Sequence, residues 1–231
     1  KINYQLIIMD RAIFYQKQLI KYIKNKDAKI LVLGAGTLDK NVFETLNYRN
    51  VTYSNIDNTS ENNLNFFTNI HEIKLKDNEF DYCVAHACIH HSSKPHSAIL
   101  ELYRVSRKGS LIIESSDSLL SQIACKLNFS EEYELSAVKK NITSGGVDNS
   151  NIPNYVYRWT EREVLKLIKS YKPELKHRIL FDYGHNIKFS NSVIVKSIFY
   201  IFFFFFKRQQ NLFSIFIDKE FTKNNFNDWI K

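Results

Sequence analysis

The chain has 231 residues, 44% hydrophobic and 24% charged, with only six Gly and three Pro. This suits one α/β domain carrying an inserted segment, and excludes a disordered chain, a fibrous repeat and two full domains. The net charge of +8 favours acidic partners, but Lys24, Lys26, Lys29, Lys139, Lys140, Lys207 and Arg208 fall in small groups without a basic stripe, so nucleic acid is the minority reading.

Lys1 to Met9 lacks the n-region, apolar stretch and cleavage site of a signal peptide, and the absence of an initiator Met suggests trimmed upstream residues. Three cysteines, Cys83, Cys88 and Cys125, are odd in number and not spaced as a disulfide framework, which fits a reducing, cytoplasmic setting. Residues 10–25 place Ile13, Phe14, Leu19, Ile20 and Ile23 at near-helical spacing, predicting an amphipathic helix.

Short apolar runs then recur at 29–33, 51–56, 81–85 and 110–114, separated by helical or turn signals, the pattern of a parallel sheet covered by helices. Pro95 to Val105 reads as the helix between the third and fourth runs, with Gly109 ending the connection. The segment 117–154 is more polar, contains Gly145-Gly146, and reads as an inserted cap. Thr160 and Glu163 form a capping-box pattern for a helix that Pro173 stops, and strands are expected at 179–183 and 212–217. Val193 to Phe206 is too short to span a bilayer, which needs about 20 residues. It is expected to be a buried or dimer-facing helix, with an interfacial membrane helix over 193–208 as the alternative.

The chemistry concentrates in three places. Ile30-Leu31-Val32-Leu33-Gly34-Ala35-Gly36-Thr37 is a strand running into a glycine turn and a helix, where missing Cβ atoms allow a sharp bend and close approach of a ligand. Val51 to Asp57 is a second strand ending on a carboxylate, suited to the two hydroxyls of a ribose. Third comes Phe80-Asp81-Tyr82-Cys83-Val84-Ala85-His86-Ala87-Cys88-Ile89-His90-His91, followed by Arg104-Val105, Gly109 and Leu111-Ile112-Ile113-Glu114.

In their order and spacing these parts resemble the class I S-adenosylmethionine (SAM)-dependent methyltransferases, close to the ubiquinone/menaquinone methyltransferase-like branch, over residues 28–116. The resemblance implies a Rossmann-like, seven-stranded, mostly parallel sheet with helices on both faces, the last strand antiparallel, in a single domain. Within it 28–116 would be the SAM-binding core, 117–160 the cap and acceptor segment, and 161–231 the closing helices and strands. It implies SAM as cofactor, with Gly34, Ala35 and Gly36 at the methionine portion, Asp57 and Asn58 at the ribose, Asn69 and Ile70 at the adenine, and His86 near the amino-acid end.

The sequence departs from the family at Val32, where an acidic residue is frequent, at Leu38, where a third glycine is common, and at Asn69, where Asp is usual. The helix after the second strand is expected to shrink to a turn. A zinc site from Cys83, His86, Cys88, His90 and His91 is set aside, because Cys83 and His86 should point to opposite faces of a strand; no metal is expected. An NAD fingerprint fails for want of the third glycine. His90 and His91 are the candidate bases for an oxygen acceptor. Tyr133, Tyr155, Tyr157, Arg158 and Trp159 are candidates for a wall over a small polar acceptor of glycan or secondary-metabolite type. A methyltransferase-like adaptor, an RNA methyltransferase and a homodimer are the remaining alternatives.

Overall fold

The computed structural model describes residues 11–56, 64–140, 144–186 and 192–224. The first helix, α1, is Arg11–Tyr22, and β1 (Ile30–Leu33) and α2 (Thr37–Thr45) follow. After β2 (Val51–Asn55) come the short β3 (Phe66–Phe67), β4 (Phe80–His86), α3 (Pro95–Val105) and β5 (Ser106–Ser115). The cap carries α4 (Leu119–Lys126) and α5 (Leu135–Lys140). The chain closes with α6 (Glu161–Tyr171), β6 (Leu175–Gly184), α7 (Val193–Phe205) and β7 (Leu212–Asn224).

The strands form one sheet in the order β3-β2-β1-β4-β5-β7-β6. All pairs are parallel except those of β7, which runs antiparallel to both β5 and β6. The doubly wound architecture expected from the sequence is therefore present.

The reason lies in β1, whose four residues are all buried. Successive strand side chains face opposite ways, so a strand covered on both faces must be apolar throughout. Leu31 and Leu33 join the core with Ala98, Ile99 and Leu102 of α3 and Val164 and Ile168 of α6. Ile30 and Val32 join Phe14, Tyr15 and Leu19 of α1 and Val42 and Phe43 of α2 on the other face. Val32, where the family often has a carboxylate, is thus a core residue.

Local signals mostly hold. Pro95 occupies the first turn of α3, where its missing N–H costs nothing. The Glu163 N–H donates to Thr160 Oγ1 at 3.2 Å, starting α6. The reciprocal half of the capping box is replaced, since Glu163 Oε1 lies 2.9 Å from His96 Nε2 and accepts from the Tyr157 hydroxyl.

Gly109 does not end the connection before β5. The strand starts at Ser106 directly after α3, and a register irregularity between Phe80↔Ser106 and Tyr82↔Gly109 puts Gly109 inside it. Arg107 and Lys108, in that irregular stretch, both pair with Asp81.

The cap leaves and rejoins the sheet at one place. Ser116 and Trp159 form a parallel bridge, Trp159 N–H donates to Ser115 O and Asp117 N–H donates to Trp159 O, both at 2.9 Å. Inside it, Glu134 N–H to Asn154 O and Val156 N–H to Glu132 O, each 2.9 Å, fasten a short antiparallel pair. At Gly146 any Cβ would fall 1.9 Å from the Ile152 carbonyl oxygen, so the turn requires glycine there.

Of the readings of α7, burial in the core does not hold, and the dimer-facing and interfacial ones stay open. Phe203 is buried, but Ile198, Tyr200, Ile201, Phe204, Phe205 and the following Phe206 are exposed. Among the described residues no helix is long and apolar enough to cross a membrane.

Candidate active site

The strand order reverses direction between β1 and β4, and in open α/β sheets ligands bind at such a point, outside the carboxyl ends of the strands. A cleft of about 270 Å³ lies there. Residues just past four strand ends line it: Gly34 after β1, Ile56 after β2, Thr68 to Ile70 after β3, and Ala87 and Cys88 after β4. His91 and Ser92 form another wall, and Ser144 to Gly146 with Asp148 and Asn149 reach in from the cap.

Gly34 has φ +64°, and a Cβ there would meet Cys88 Cβ at 2.4 Å. Both conformation and space therefore demand glycine. Gly36 is different: it is extended backbone capping α2, its N–H donates to Asp39 Oδ2 at 2.9 Å, and a Cβ would meet nothing closer than 3.8 Å.

Asn69 and Ile70 line the cleft. Asp57 and Asn58, and the turn expected after β2, lie outside the described residues; Asn55 and Ile56 just before them do line the cleft. Ala35, Gly36 and His86 are not among its lining residues. Ala35 is buried in the core, and His86 is buried with its ring stacked on Tyr15 at 4.5 Å and its Nδ1 3.7 Å from Asp39 Oδ1. Asp39 Oδ1, Tyr15 Oη and His86 Nε2 are buried and have no hydrogen-bond partner among the described residues. Burial first, and the Asp39 carboxylate second, hold the Tyr15 hydroxyl protonated.

The turn after β4 is organised by Glu114, buried at the end of β5. Its Oε1 accepts from the N–H groups of Cys88 (2.9 Å) and Ile89 (2.7 Å), and its Oε2 lies 2.7 Å from His90 Nδ1. These bonds hold a short 3-10 turn, Ile89–His91, behind Ala87, which has φ +50°. His90 Nε2 and His91 Nε2 stand 3.5 and 3.3 Å from Glu134 Oε2 of the cap, and Asn154 Nδ2 donates to the same oxygen at 3.3 Å. Burial disfavours a charged His90, but Glu114 and then Glu134 outweigh it and raise its pKa to about 9. Hydrogen bonding to His90 draws Glu134 down to about 2. Burial, then the neighbouring His90, lowers His91.

Of the five residues weighed for zinc, Cys83 is fully buried among core side chains and Cys88 Sγ is turned to the Leu33 carbonyl oxygen at 3.3 Å. His90 and His91 are brought together, ring centroids 4.6 Å apart, with a partner, Glu134, from another part of the chain. Tyr133 and Tyr155 meet edge to face at 5.5 Å and are both exposed, while Tyr157 tilts onto the buried Trp159 at 4.7 Å. Arg158 is committed to the cap, donating to Ser130 Oγ (3.0 Å) and Glu131 O (2.7 Å).

Comparison with known proteins accords with this geometry. Residues 43–113, from within α2 to within β5, match the methyltransferase domain family. The enzyme class is that of a SAM-dependent methyltransferase. Its cofactor is S-adenosylmethionine.

No curated protein matches the chain in sequence. Similar solved structures include the methyltransferase held by the Trm112 methyltransferase activator of Haloferax volcanii, at 9% identity, TM-score 0.55 and 87% coverage of each chain. A SAM-dependent methyltransferase of Methanosarcina mazei aligns at 14% identity and TM-score 0.53, over 87% of this chain and 96% of the other. A protein of Pyrococcus horikoshii OT3 aligns at 13% identity and TM-score 0.55, over 94% and 92%. At these identities the likeness establishes the fold.

The residues present fit the cofactor. Gly34 lines the cleft without a side chain, Asn69 and Ile70 offer an amide and an apolar surface to a base, and Asp39 Oδ1, buried near the glycine turn, has no hydrogen-bond partner among the described residues. Reading the sequence missed Asp39, Tyr15 and the cap residues Ser144 to Asn149. Only the Gly145-Gly146 turn signalled a fold-back in this segment.

Proposed function

We propose that the protein transfers a methyl group from SAM to a small polar acceptor, on oxygen, in glycan or secondary-metabolite biosynthesis. The observation that carries this reading is that Ser144 to Gly146, Asp148 and Asn149 of the cap line the same cleft as Gly34 and Asn69, which narrows the site to metabolite size. The resemblance to the ubiquinone/menaquinone-like branch points to the same small-molecule class, and the absence of a basic stripe argues against RNA.

Bound SAM supplies an activated sulfonium methyl, so this chain's work is to position, to exclude water and to take a proton. Gly34, Asn69 and Ile70 seat the cofactor in this reading, with Asp57 and Asn58 at the ribose and His86 below the amino-acid end. Of the two candidate bases His91 is favoured, because it lines the cleft while His90 is buried with its Nδ1 held by Glu114. His90 then positions the turn. Three free cysteines are in keeping with a cytoplasmic setting.

The exposed apolar face of α7 supports a second element, contact of 193–208 with an anionic membrane surface, because Lys207 and Arg208 are exposed at its end. Sedimentation with anionic liposomes that salt weakens is expected; sedimentation equilibrium showing a stable homodimer instead would assign the face to a second copy.

The reaction is tested by offering hydroxylated metabolites and RNA with labelled SAM. Methylation of a metabolite, and a His91→Ala variant slowed about 10²–10⁴-fold with SAM affinity nearly unchanged, are expected. Preferential methylation of RNA would overturn the closed-site reading, and SAM binding without any turnover would favour an adaptor.

A further inference from the structure

We propose that His90, His91 and Glu134 bind a divalent first-row cation, with Zn²⁺ the best match, and that this cation fastens the cap to the sheet. The three side chains are the one group among the described residues whose ligand atoms all lie within 4.8 Å of one another. Two of their separations, 3.3 Å from His91 Nε2 and 3.5 Å from His90 Nε2 to Glu134 Oε2, can be compared with a tetrahedral site. Bonds of about 2.0–2.1 Å to nitrogen and oxygen give a tetrahedron edge of about 3.3–3.4 Å, so a cation can enter with little movement. Two imidazoles and one carboxylate suit zinc over magnesium or calcium, which prefer all-oxygen sets, and three protein ligands leave a fourth position open.

The surroundings are those of a supported site. Metal-bound histidines characteristically give their second ring nitrogen to a carboxylate, which fixes the ring and its tautomer. Glu114 Oε2, 2.7 Å from His90 Nδ1, stands in that place and leaves Nε2 to face Glu134. Glu134 is itself steadied by the backbone bond from its N–H to Asn154 O and by the amide of Asn154, which is 1% exposed. The histidines belong to the turn after β4 and the carboxylate to the cap, so occupancy ties two regions joined in sequence through α3 and β5. The site itself does not depend on the reaction proposed above. One consequence does: while His91 holds a cation it cannot take a proton, so loading should suppress turnover on an oxygen acceptor.

The test is a calorimetric titration of Zn²⁺ into tag-free, chelator-stripped full-length protein, repeated with Co²⁺ followed by absorption. Expected are one Zn²⁺ per chain, a four-coordinate Co²⁺ spectrum, and affinity at least 10-fold weaker in both Glu134→Gln and His91→Asn. The control Cys125→Ser should bind as wild type does. Zinc should also slow proteolytic cleavage within 117–154 in wild type and not in Glu134→Gln, whose fold is checked by circular dichroism should His91→Asn prove unstable. No Zn²⁺ uptake by wild type, or uptake unchanged in Glu134→Gln and lost in Cys125→Ser, would overturn the proposal. Neither result bears on whether the protein methylates anything.

Discussion

The floor of the site and its cap are built by different physics. The floor consists of the ends of β1, β2, β3 and β4, held by a sheet whose central strand is buried on both faces. The cap hangs from the Ser116–Trp159 junction and is kept in place by polar contacts: Arg158 to Ser130 and Glu131, Asn154 to Glu134, and Glu134 to the two histidines. Apolar burial fixes a shape without directional partners, whereas a polar network fixes it only while every member is present. Damage to the floor should therefore cost global stability, and damage to the cap should cost local order and turnover.

The largest effect should come from Glu114, which belongs to the floor and meets the cap through His90. Glu114→Ala leaves two backbone N–H groups and a buried imidazole without their acceptor, and global unfolding in urea should show a loss of about 3–5 kcal/mol. A loss below about 1 kcal/mol would mean that water or another group replaces it and that the turn is not organised as described.

A smaller and more local effect is expected in the cap. Arg158→Ala removes the bonds to Ser130 Oγ and Glu131 O and should cost about 1–2 kcal/mol, read as faster hydrogen exchange across 130–134 with the β-sheet amides unchanged. If the sheet amides exchange faster by the same factor, cap and floor form one cooperative unit and the contrast fails.

The smallest effect is a pH dependence confined to the floor. Asp81 is largely buried; desolvation would raise its pKa, but the Arg107 hydrogen bond and the Lys29 N–H at 3.0 Å outweigh this and lower it. A carboxylate depressed in the folded state adds stability that is present above its unfolded pKa of about 3.9 and lost as pH falls through the folded value. Wild type should exceed Asp81→Asn by about 1 kcal/mol at pH 6, and the gap should shrink steadily as pH falls below about 4. A gap of the same size at about pH 2 would assign it to packing.

The same division explains what the sequence disclosed. Strands β1, β2, β4 and β5, helix α3 and the start of α6 were legible because apolar periodicity, Pro95 and Thr160 are local signals. The glycine turn was read from its residues and Asn69 and Ile70 from the resemblance, and of these Gly34, Asn69 and Ile70 meet at one cleft. Gly109 was misread as the end of a connection because the irregularity that absorbs it is a pairing event between β4 and β5, invisible along one strand. Glu134 was not legible as a site residue, since it lies in a polar stretch beside Glu131 and Glu132 and its histidine partners are more than forty positions away in sequence. Helix α7 was legible as a helix, but the choice between a buried, a dimer-facing and an interfacial one was not, because a run of phenylalanines reads the same whether it faces a core or a partner.

The central claim, that the cleft at the ends of β1 to β4 is a SAM site, is tested most directly by calorimetric titration of the full-length protein with SAM and, separately, with NAD. The account predicts saturable binding of one SAM per chain and no response to NAD. Saturable NAD binding with no response to SAM would contradict it.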